Sequence, residues 1–397
     1  MLAIAEQLYV DAPSCIAVTR LKLTAFRCYD GMQLDLDTRP VMLTGPNGAG
    51  KTNLLEAISY LAPGRGLRGT RLAEADRHGE TRPWAVAATV ATAVGPVDLG
   101  TGHDKESERR SVHVNGVPVR GPAALAEYVS AVWLTPQMDR LFREGASARR
   151  RFLDRLIYGF HAAHATQVTA YEHSNRERVH LLRDGRGERG WFDAIEAEMA
   201  EHGVAIAAAR VEIAERLGQA CEAASGPFSG AEIDVDGVLE GWLSEAPALA
   251  VEDRFKEILA RNRTVDAETG NTTIGPHRSD LVVKHRAKGL PAAQCSTGEQ
   301  KALLIAVLLA NARLQASERG IAPLLLLDEA VAHLDERRRS ALFDEILELG
   351  AQAWFSGTDE DLFAEFGDNA QFVRITDGKA QQYEIHDRGN GADRMRP

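Results

Sequence analysis

Apolar residues recur with two different periods along the chain, and the changes of period divide it into three stretches. Near the start, Val18-Thr-Arg-Leu-Lys-Leu23 alternates apolar and polar positions, as a strand buried on one face does. Asp35 to Leu43 reads as a second short strand that ends in a Gly-rich turn, and Thr52 to Leu61 then takes a helical period. Alternation at Trp84–Val90 and Val112–Val119 predicts further strands, with turns at Gly95-Pro96 and Asn115-Gly116. From Ser147 to about Gly226 the period lengthens. Phe152, Leu156 and Phe160, then Val168 and Tyr171, recur at helical spacing, as do Phe192, Ile195 and Met199, then Ile213 and Leu217. The polar run Asp184–Gly190 separates the two sets, which predicts a helical hairpin. Its first arm, Arg150–Leu182, would be ~50 Å long if continuous. After Thr273 the strand and helix periods mix again. A helix is expected from Thr297 to about Gln315, a buried strand at Leu324–Leu327, a helix through Arg337 to Leu349 and a strand around Ala353–Phe355.

Length and composition narrow the class. A chain of 397 residues has room for two or three domains, and 44% hydrophobic with 26% charged residues is ordinary for a globular protein. This excludes a mainly disordered or collagen-like chain. The longest apolar run, Ala302–Ala312, is too short to span a bilayer, and the first residues lack the basic start of a signal peptide. Four scattered cysteines without a C-x-x-C pair read as a reduced, cytoplasmic chain with neither a disulfide framework nor a zinc site, and no membrane partner is expected of a chain without a spanning segment. The net charge is −11, so a nucleic-acid partner must be met by a local basic patch, with strong salt dependence.

Candidate chemistry is concentrated in three motifs. Gly45-Pro46-Asn47-Gly48-Ala49-Gly50-Lys51-Thr52 matches G-x-x-x-x-G-K-[ST], follows the apolar Val41–Leu43 and opens a helical segment. Such a loop wraps phosphate oxygens with backbone N–H groups. Lys51 can reach the β- and γ-phosphates of a bound nucleotide, and the Thr52 hydroxyl can ligate Mg²⁺. Leu324-Leu-Leu-Leu-Asp328-Glu329 is a strand buried on both faces with a carboxylate at its C-terminal end, where open α/β sheets bind ligands. Asp328 suits the Mg²⁺ shell and Glu329 suits the base that takes a proton from the attacking water. Ser296-Thr-Gly298-Glu-Gln-Lys301 begins a helix with the spacing of a capping box, Ser296 to Glu299.

The third motif, by its position ahead of Asp328, resembles the signature motif of ABC-type ATPases, which completes the nucleotide site of a partner subunit. The resemblance implies that Ser296 and Gly298 contact the partner's nucleotide. It makes Ala332-His-Leu-Asp335 the D-loop, and makes Gln137 the Q-loop glutamine that senses Mg²⁺ and γ-phosphate. No switch histidine follows Trp354-Phe355; Thr358 is the candidate for that position. Leu23-Thr-Ala-Phe-Arg-Cys-Tyr29, Gly64-Arg-Gly-Leu-Arg68, Arg149-Arg-Arg-Phe-Leu-Asp154, Gly275-Pro-His-Arg-Ser-Asp280 and Phe355-Ser-Gly-Thr-Asp359 together resemble the RecF family of bacterial DNA replication and repair ATPases. Cys28 stands where that family usually has Asn, and Ser279 where it usually has Asp.

The resemblance implies an α/β fold: an ABC-type ATPase head, a P-loop NTPase with a mixed sheet, plus an inserted α-helical arm. The expected divisions are an N-terminal extension (1–15, flexible), a first head part (16–140), the arm (141–270), a second head part (271–386) and a disordered tail (387–397). It further implies a weak, DNA-stimulated ATPase that forms a head-to-tail homodimer when ATP is bound and clamps double-stranded or gapped DNA. Proteins of the RecR and RecO type are the implied partners. Arg149, Arg150 and Arg151 are candidates for DNA phosphates; Arg68 is a candidate either for DNA or for coupling DNA to the nucleotide site. The competing class is the nucleotide-binding subunit of a membrane transporter, which would normally be shorter and carry a switch histidine.

Overall fold

The computed structural model describes residues 15–185, 188–228 and 230–384. The expected N-terminal extension, but for Cys15, and the expected tail lie outside the described residues. In chain order the first elements are β1 (Ala17–Phe26), β2 (Tyr29–Asp35), β3 (Val41–Thr44), α1 (Lys51–Ser59), β4 (Ala85–Thr92), β5 (Gly95–Asp104), β6 (Arg109–Val114), β7 (Val117–Pro118) and β8 (Ala131–Leu134). Then come α2 (Ala146–Ile157), α3 (His164–Asp184), α4 (Arg189–Ala223), β9 (Ala231–Asp236), α5 (Val238–Leu243), α6 (Ala248–Arg261), α7 (Arg263–Thr269), β10 (Asp280–His285), β11 (Leu290–Pro291) and α8 (Thr297–Arg319). The last are β12 (Leu324–Asp328), α9 (Glu336–Leu349), β13 (Ala353–Ser356), β14 (Gln371–Thr376) and β15 (Lys379–Tyr383).

Contacts divide the described residues into two compact units, one made of those within 15–121, 133–136 and 319–384, the other of those within 122–132 and 137–318. The second therefore takes in residues 271–318, which the sequence reading places with the head. The pairing of β10 with β9 across six residues explains the assignment.

The first unit holds two sheets. One has the order β2-β1-β4-β5-β6-β7 and is antiparallel throughout; β1 alternates buried and exposed residues, as its sequence demands. The other has the order β15-β14-β3-β13-β12-β8, with β3, β12, β13 and β14 parallel and β15 antiparallel at one edge. Every residue of β3, β12 and β13 is buried, the condition in which continuous apolar runs are stable as strands. The expected strand over Asp35–Leu43 does not form. β2 ends at Asp35 and β3 begins at Val41. Between them the Asp37 carboxylate accepts from Arg39 N at 2.8 Å, a local turn before Pro40, which has no N–H to offer a ladder.

In the second unit α3, α4 and α6 enclose a core of Tyr171, Ile195, Met199, Val204, Phe255 and Leu259. The first hairpin arm is not continuous, because α2 ends at Ile157 and α3 starts at His164. Two contacts fix the break. Asn311 Nδ2 on α8 donates to Leu156 O at 3.2 Å, and a Cβ at Gly159 would lie 2.3 Å from the Gln315 amide, so only glycine fits there. A buried charge cluster also crosses this core. Arg178 donates to Glu196 at 2.9 Å, to Asp266 at 2.7 Å and to Leu259 O at 2.7 Å. Among the described residues, no helix is long and apolar enough to cross a membrane.

Candidate nucleotide site

The Gly-rich loop joins β3 to α1, both in the first unit. Gly45, Gly48 and Gly50 take φ of +134°, +79° and +117°, conformations that side-chain-bearing residues rarely adopt. A Cβ on Gly45 would lie 2.2 Å from Ile375 O, and one on Gly50 would lie 2.7 Å from Cys28 Sγ. Pro46, Asn47 and Gly48 are exposed while Ala49 is buried, with its N–H donating to Pro46 O at 3.2 Å. Gly50 caps α1, and its carbonyl accepts from the buried Tyr29 hydroxyl at 2.9 Å. Lys51 is buried, and its Nζ donates to Gly45 O at 2.7 Å and Pro46 O at 2.9 Å, across the mouth of the loop. Burial pushes its pKa down, opposed by the nearby Glu329 and Asp328 carboxylates.

The carboxylate at the end of β12 meets this loop. Thr52 Oγ1 donates to Asp328 Oδ1 at 3.0 Å, and Ser356 Oγ, from the end of β13, donates to the same oxygen at 2.6 Å. The Ser356 hydroxyl also accepts from Glu329 N at 2.9 Å, so one serine positions both acidic residues. Glu329 is exposed at φ +49°, a left-handed backbone for a residue with a full side chain. A hydroxyl and a carboxylate converging from two elements are hard oxygen donors of the kind Mg²⁺ takes. Among the described residues, no cluster of three or more His, Cys, Asp or Glu forms a metal cage. That donor set fits an ion held by one carboxylate, one hydroxyl and substrate phosphates.

Behind the loop, Glu56 of α1 is fully buried and takes two arginines: Arg27 at 2.6 and 2.9 Å, and Arg68 at 2.6 Å. Arg68 also donates to Asn53 Oδ1 at 3.0 Å, which fastens it to the helix that carries Thr52. Asp335 caps α9, accepting from Arg338 N at 2.9 Å, and Thr358 is exposed beyond β13.

The remaining expected site residues belong to the second unit. Ser296 and Glu299 form the capping box: Ser296 N donates to Glu299 Oε2 at 3.0 Å, and Glu299 N to Ser296 Oγ at 3.4 Å. Ser296 is exposed and Gly298 half-buried at the start of α8. Gln137 is exposed in a short 3₁₀ turn. The three arginines of α2 differ. Arg149 makes a bidentate pair with Asp280, 2.7 Å at both oxygens, which commits its fork within the protein, and Arg150 donates from one nitrogen to Ser279 O at 2.6 Å. Arg151 is exposed, bonded to Ser147 Oγ at 2.6 Å.

Residues 17–382 match the family model of the RecF/RecN/SMC N-terminal domain. The DNA replication and repair protein RecF of Allorhizobium ampelinum is 46% identical over 365 residues, covering 91% of this chain and 97% of the relative. Its counterpart in Rhizobium etli is 45% identical over 371 residues, covering 92% and 99%. The chain belongs to the RecF family. A solved structure of the recombination mediator protein RecF-ATP in the RecFOR pathway shares the fold, with TM-score 0.79, 22% identity and coverage of 93% of this chain and 99% of that one. An Smc head domain from Pyrococcus furiosus, bound to part of ScpA, shares it more distantly, with TM-score 0.51, 17% identity and coverage of 93% and 96%.

Two residues of this RecF-family site escaped the sequence reading in their roles. Ser356 lies in Phe355–Asp359, whose sequence points to Thr358; the parallel register that pairs Asp328 with Ser356 is what brings its hydroxyl to the carboxylate. Tyr29 closes the Leu23–Tyr29 stretch, which by itself assigns its hydroxyl no role. Its hydroxyl reaches Gly50 only because β1 and β2 fold back beside the loop.

Proposed function

We propose that this chain is an ATP-dependent DNA-binding protein of replication and repair, acting in the cytoplasm as a recombination mediator. On binding ATP it pairs head to tail with a second copy and holds double-stranded DNA at gaps; slow hydrolysis releases it. The observation that carries the reading is the meeting of Thr52 and Asp328 at 3.0 Å, with Glu329 next in the chain. A site built only to retain a phosphate has no need of a second carboxylate there. Lys51, now bonded to loop carbonyls, exchanges those bonds for phosphate oxygens; Thr52 and Asp328 would hold Mg²⁺, which would supply charge neutralisation at the phosphates. Glu329 takes a proton from the attacking water.

Ser296 and Gly298 serve the second copy's nucleotide, Asp335 lies at the shared boundary and Gln137 senses the γ-phosphate. The relatives' shared name and the RecFOR pathway of the solved relative support partners of the RecR and RecO type. No observation favours a transporter subunit. The test is sedimentation of wild type and Glu329→Gln with and without ATP and duplex DNA. The variant is expected to accumulate as an ATP-bound dimer without turnover. Normal turnover by the variant removes Glu329 as the base, and an unchanged monomer in every condition refutes nucleotide-driven pairing.

A further inference from the structure

Arg149 gives its whole fork to Asp280 and Arg150 gives one nitrogen to Ser279 O, so a phosphate backbone needs cations beyond this pair. We infer that the C-terminal half of α3 carries an anion pocket that holds the phosphate backbone of duplex DNA, an inference that rests on the DNA-binding reading above. The pocket is an open cavity of about 350 Å³ in the second unit, lined by Asn175, Arg176, His180 and Arg183 of α3 together with Gly270 and Asn271.

Arg176, His180 and Arg183 are spaced i, i+4 and i+7, so they share one helix face over ~10 Å. One DNA strand carries a phosphate about every 3.4 Å of axis, so this face matches roughly three of them. Both arginines are exposed and keep donors to spare. Arg176 spends only Nε, on Glu172 O at 3.1 Å, and Arg183 spends only Nη2, on Gly270 O at 2.9 Å.

Gly270 pre-sets the second of these. It ends α7 at φ +66°, and a Cβ there would lie 2.4 Å from Arg183 Nη2, so the guanidinium lies flat on backbone that only glycine leaves bare. Asn175 and Asn271 add amide groups. Among the described residues, no carboxylate lines the cavity. One lining residue has an acidic partner, since His180 Nε2 lies 3.7 Å from Asp184, while Glu177 lies 3.7 Å from His173 outside the lining. In a chain of net charge −11, a cavity walled by two arginines without a lining acid is a local reversal of sign. Guanidinium forks suit phosphate oxygens in particular.

The experiment is fluorescence anisotropy of a labelled blunt duplex with the full chain and ATP, at salt from ~50 to ~200 mM. Arg176→Gln/Arg183→Gln is compared with wild type, with ATP binding and ATP-driven sedimentation measured on the same samples. Loss of two phosphate contacts lowers the salt slope by about 2 and weakens binding roughly tenfold to a hundredfold, with nucleotide binding unchanged. Gly270→Ala, which displaces Arg183 without removing charge, is expected to weaken binding in the same direction by a smaller factor. An unchanged slope in the double variant overturns the pocket, even if affinity falls. Retained DNA binding with loss of binding to polyglutamate also overturns it and assigns the cavity to an acidic protein surface. Wild type that fails to bind duplex DNA at any salt refutes the DNA-binding reading itself, and the pocket's role with it.

Discussion

Replacing Glu56 by Gln asks whether the helix behind the phosphate loop is held by a buried charge knot or by apolar packing alone. Glu56 is 0% exposed and receives three guanidinium bonds, two from Arg27 at 2.6 and 2.9 Å and one from Arg68 at 2.6 Å. Charge-assisted bonds contribute ~1.5–3 kcal/mol each, but bonds that share one carboxylate do not add. Removing one charge from a buried pair costs ~3–5 kcal/mol. Glutamine keeps the shape and one acceptor oxygen, and the arginine side chains are 18% and 27% exposed, so water recovers part of the loss. The expected cost is therefore at the lower end, ~3 kcal/mol, or a melting temperature lower by roughly 6–12 °C for a unit of this size. Thermal unfolding of the nucleotide-free protein, followed by circular dichroism, reads this directly. Arg20→Gln is the control. Its partner Asp35 and Arg20 itself are 58% and 55% exposed, and solvent screening leaves such a pair little to contribute. A fall below ~2 °C for Glu56→Gln, or one no larger than the control's, shows that the knot does not hold the helix.

Two further outcomes test other parts of the molecule. Ser296→Arg removes a helix cap at a cost of ~1 kcal/mol, so the protein stays folded. ATP binding by the monomer should persist while ATP-driven dimerisation is lost in light scattering; loss of monomer binding contradicts a role in the second copy's site. His277 donates from Nε2 to Thr272 O at 2.9 Å, which leaves Nδ1 to accept from the Tyr171 hydroxyl at 2.7 Å. Burial pushes its pKa down to about 4, so between an unfolded value of ~6.5 and that point the unfolded chain binds the extra proton. Stability should fall as pH drops through this window, by no more than ~3 kcal/mol. His277→Gln should flatten that limb of the urea midpoint; a limb parallel to wild type refutes the assignment.

What was legible in the chain follows the range of the interactions involved. The loop Gly45–Thr52 and the strand Leu324–Asp328 could be read because their constraints are local: glycine where φ is positive, and unbroken apolar residues where both faces are covered. The turn at Leu36–Pro40 was missed because a run of mixed polarity hides a side chain that bonds two residues on. The break between α2 and α3 was invisible for the opposite reason. It depends on Asn311 and Gln315, about 150 residues away, and no helical period in Phe152–Phe160 encodes them. Ser356 reaches Asp328 through parallel strand register, and register between strands separated by a helix cannot be read from either strand alone.

Arginine shows the same limit most sharply, and with consequences for function. Arg149, Arg150 and Arg151 form the conspicuous basic run, while Arg176 and Arg183 are unremarkable in a polar helix. A run of charge says how many cations are present and nothing about how many carboxylates or carbonyls already claim them. Asp280 lies more than a hundred residues beyond Arg149 yet takes its whole fork, whereas Arg176 spends one nitrogen on its own helix and keeps the rest. Because burying an arginine unpaired is costly, the densest basic cluster next to a core is the one most strongly selected to be paired internally. Candidate phosphate contacts in this molecule are better chosen by unspent donors than by charge density: Arg149 drops out, while Arg151 on α2 stays and Arg176 and Arg183 on α3 join it.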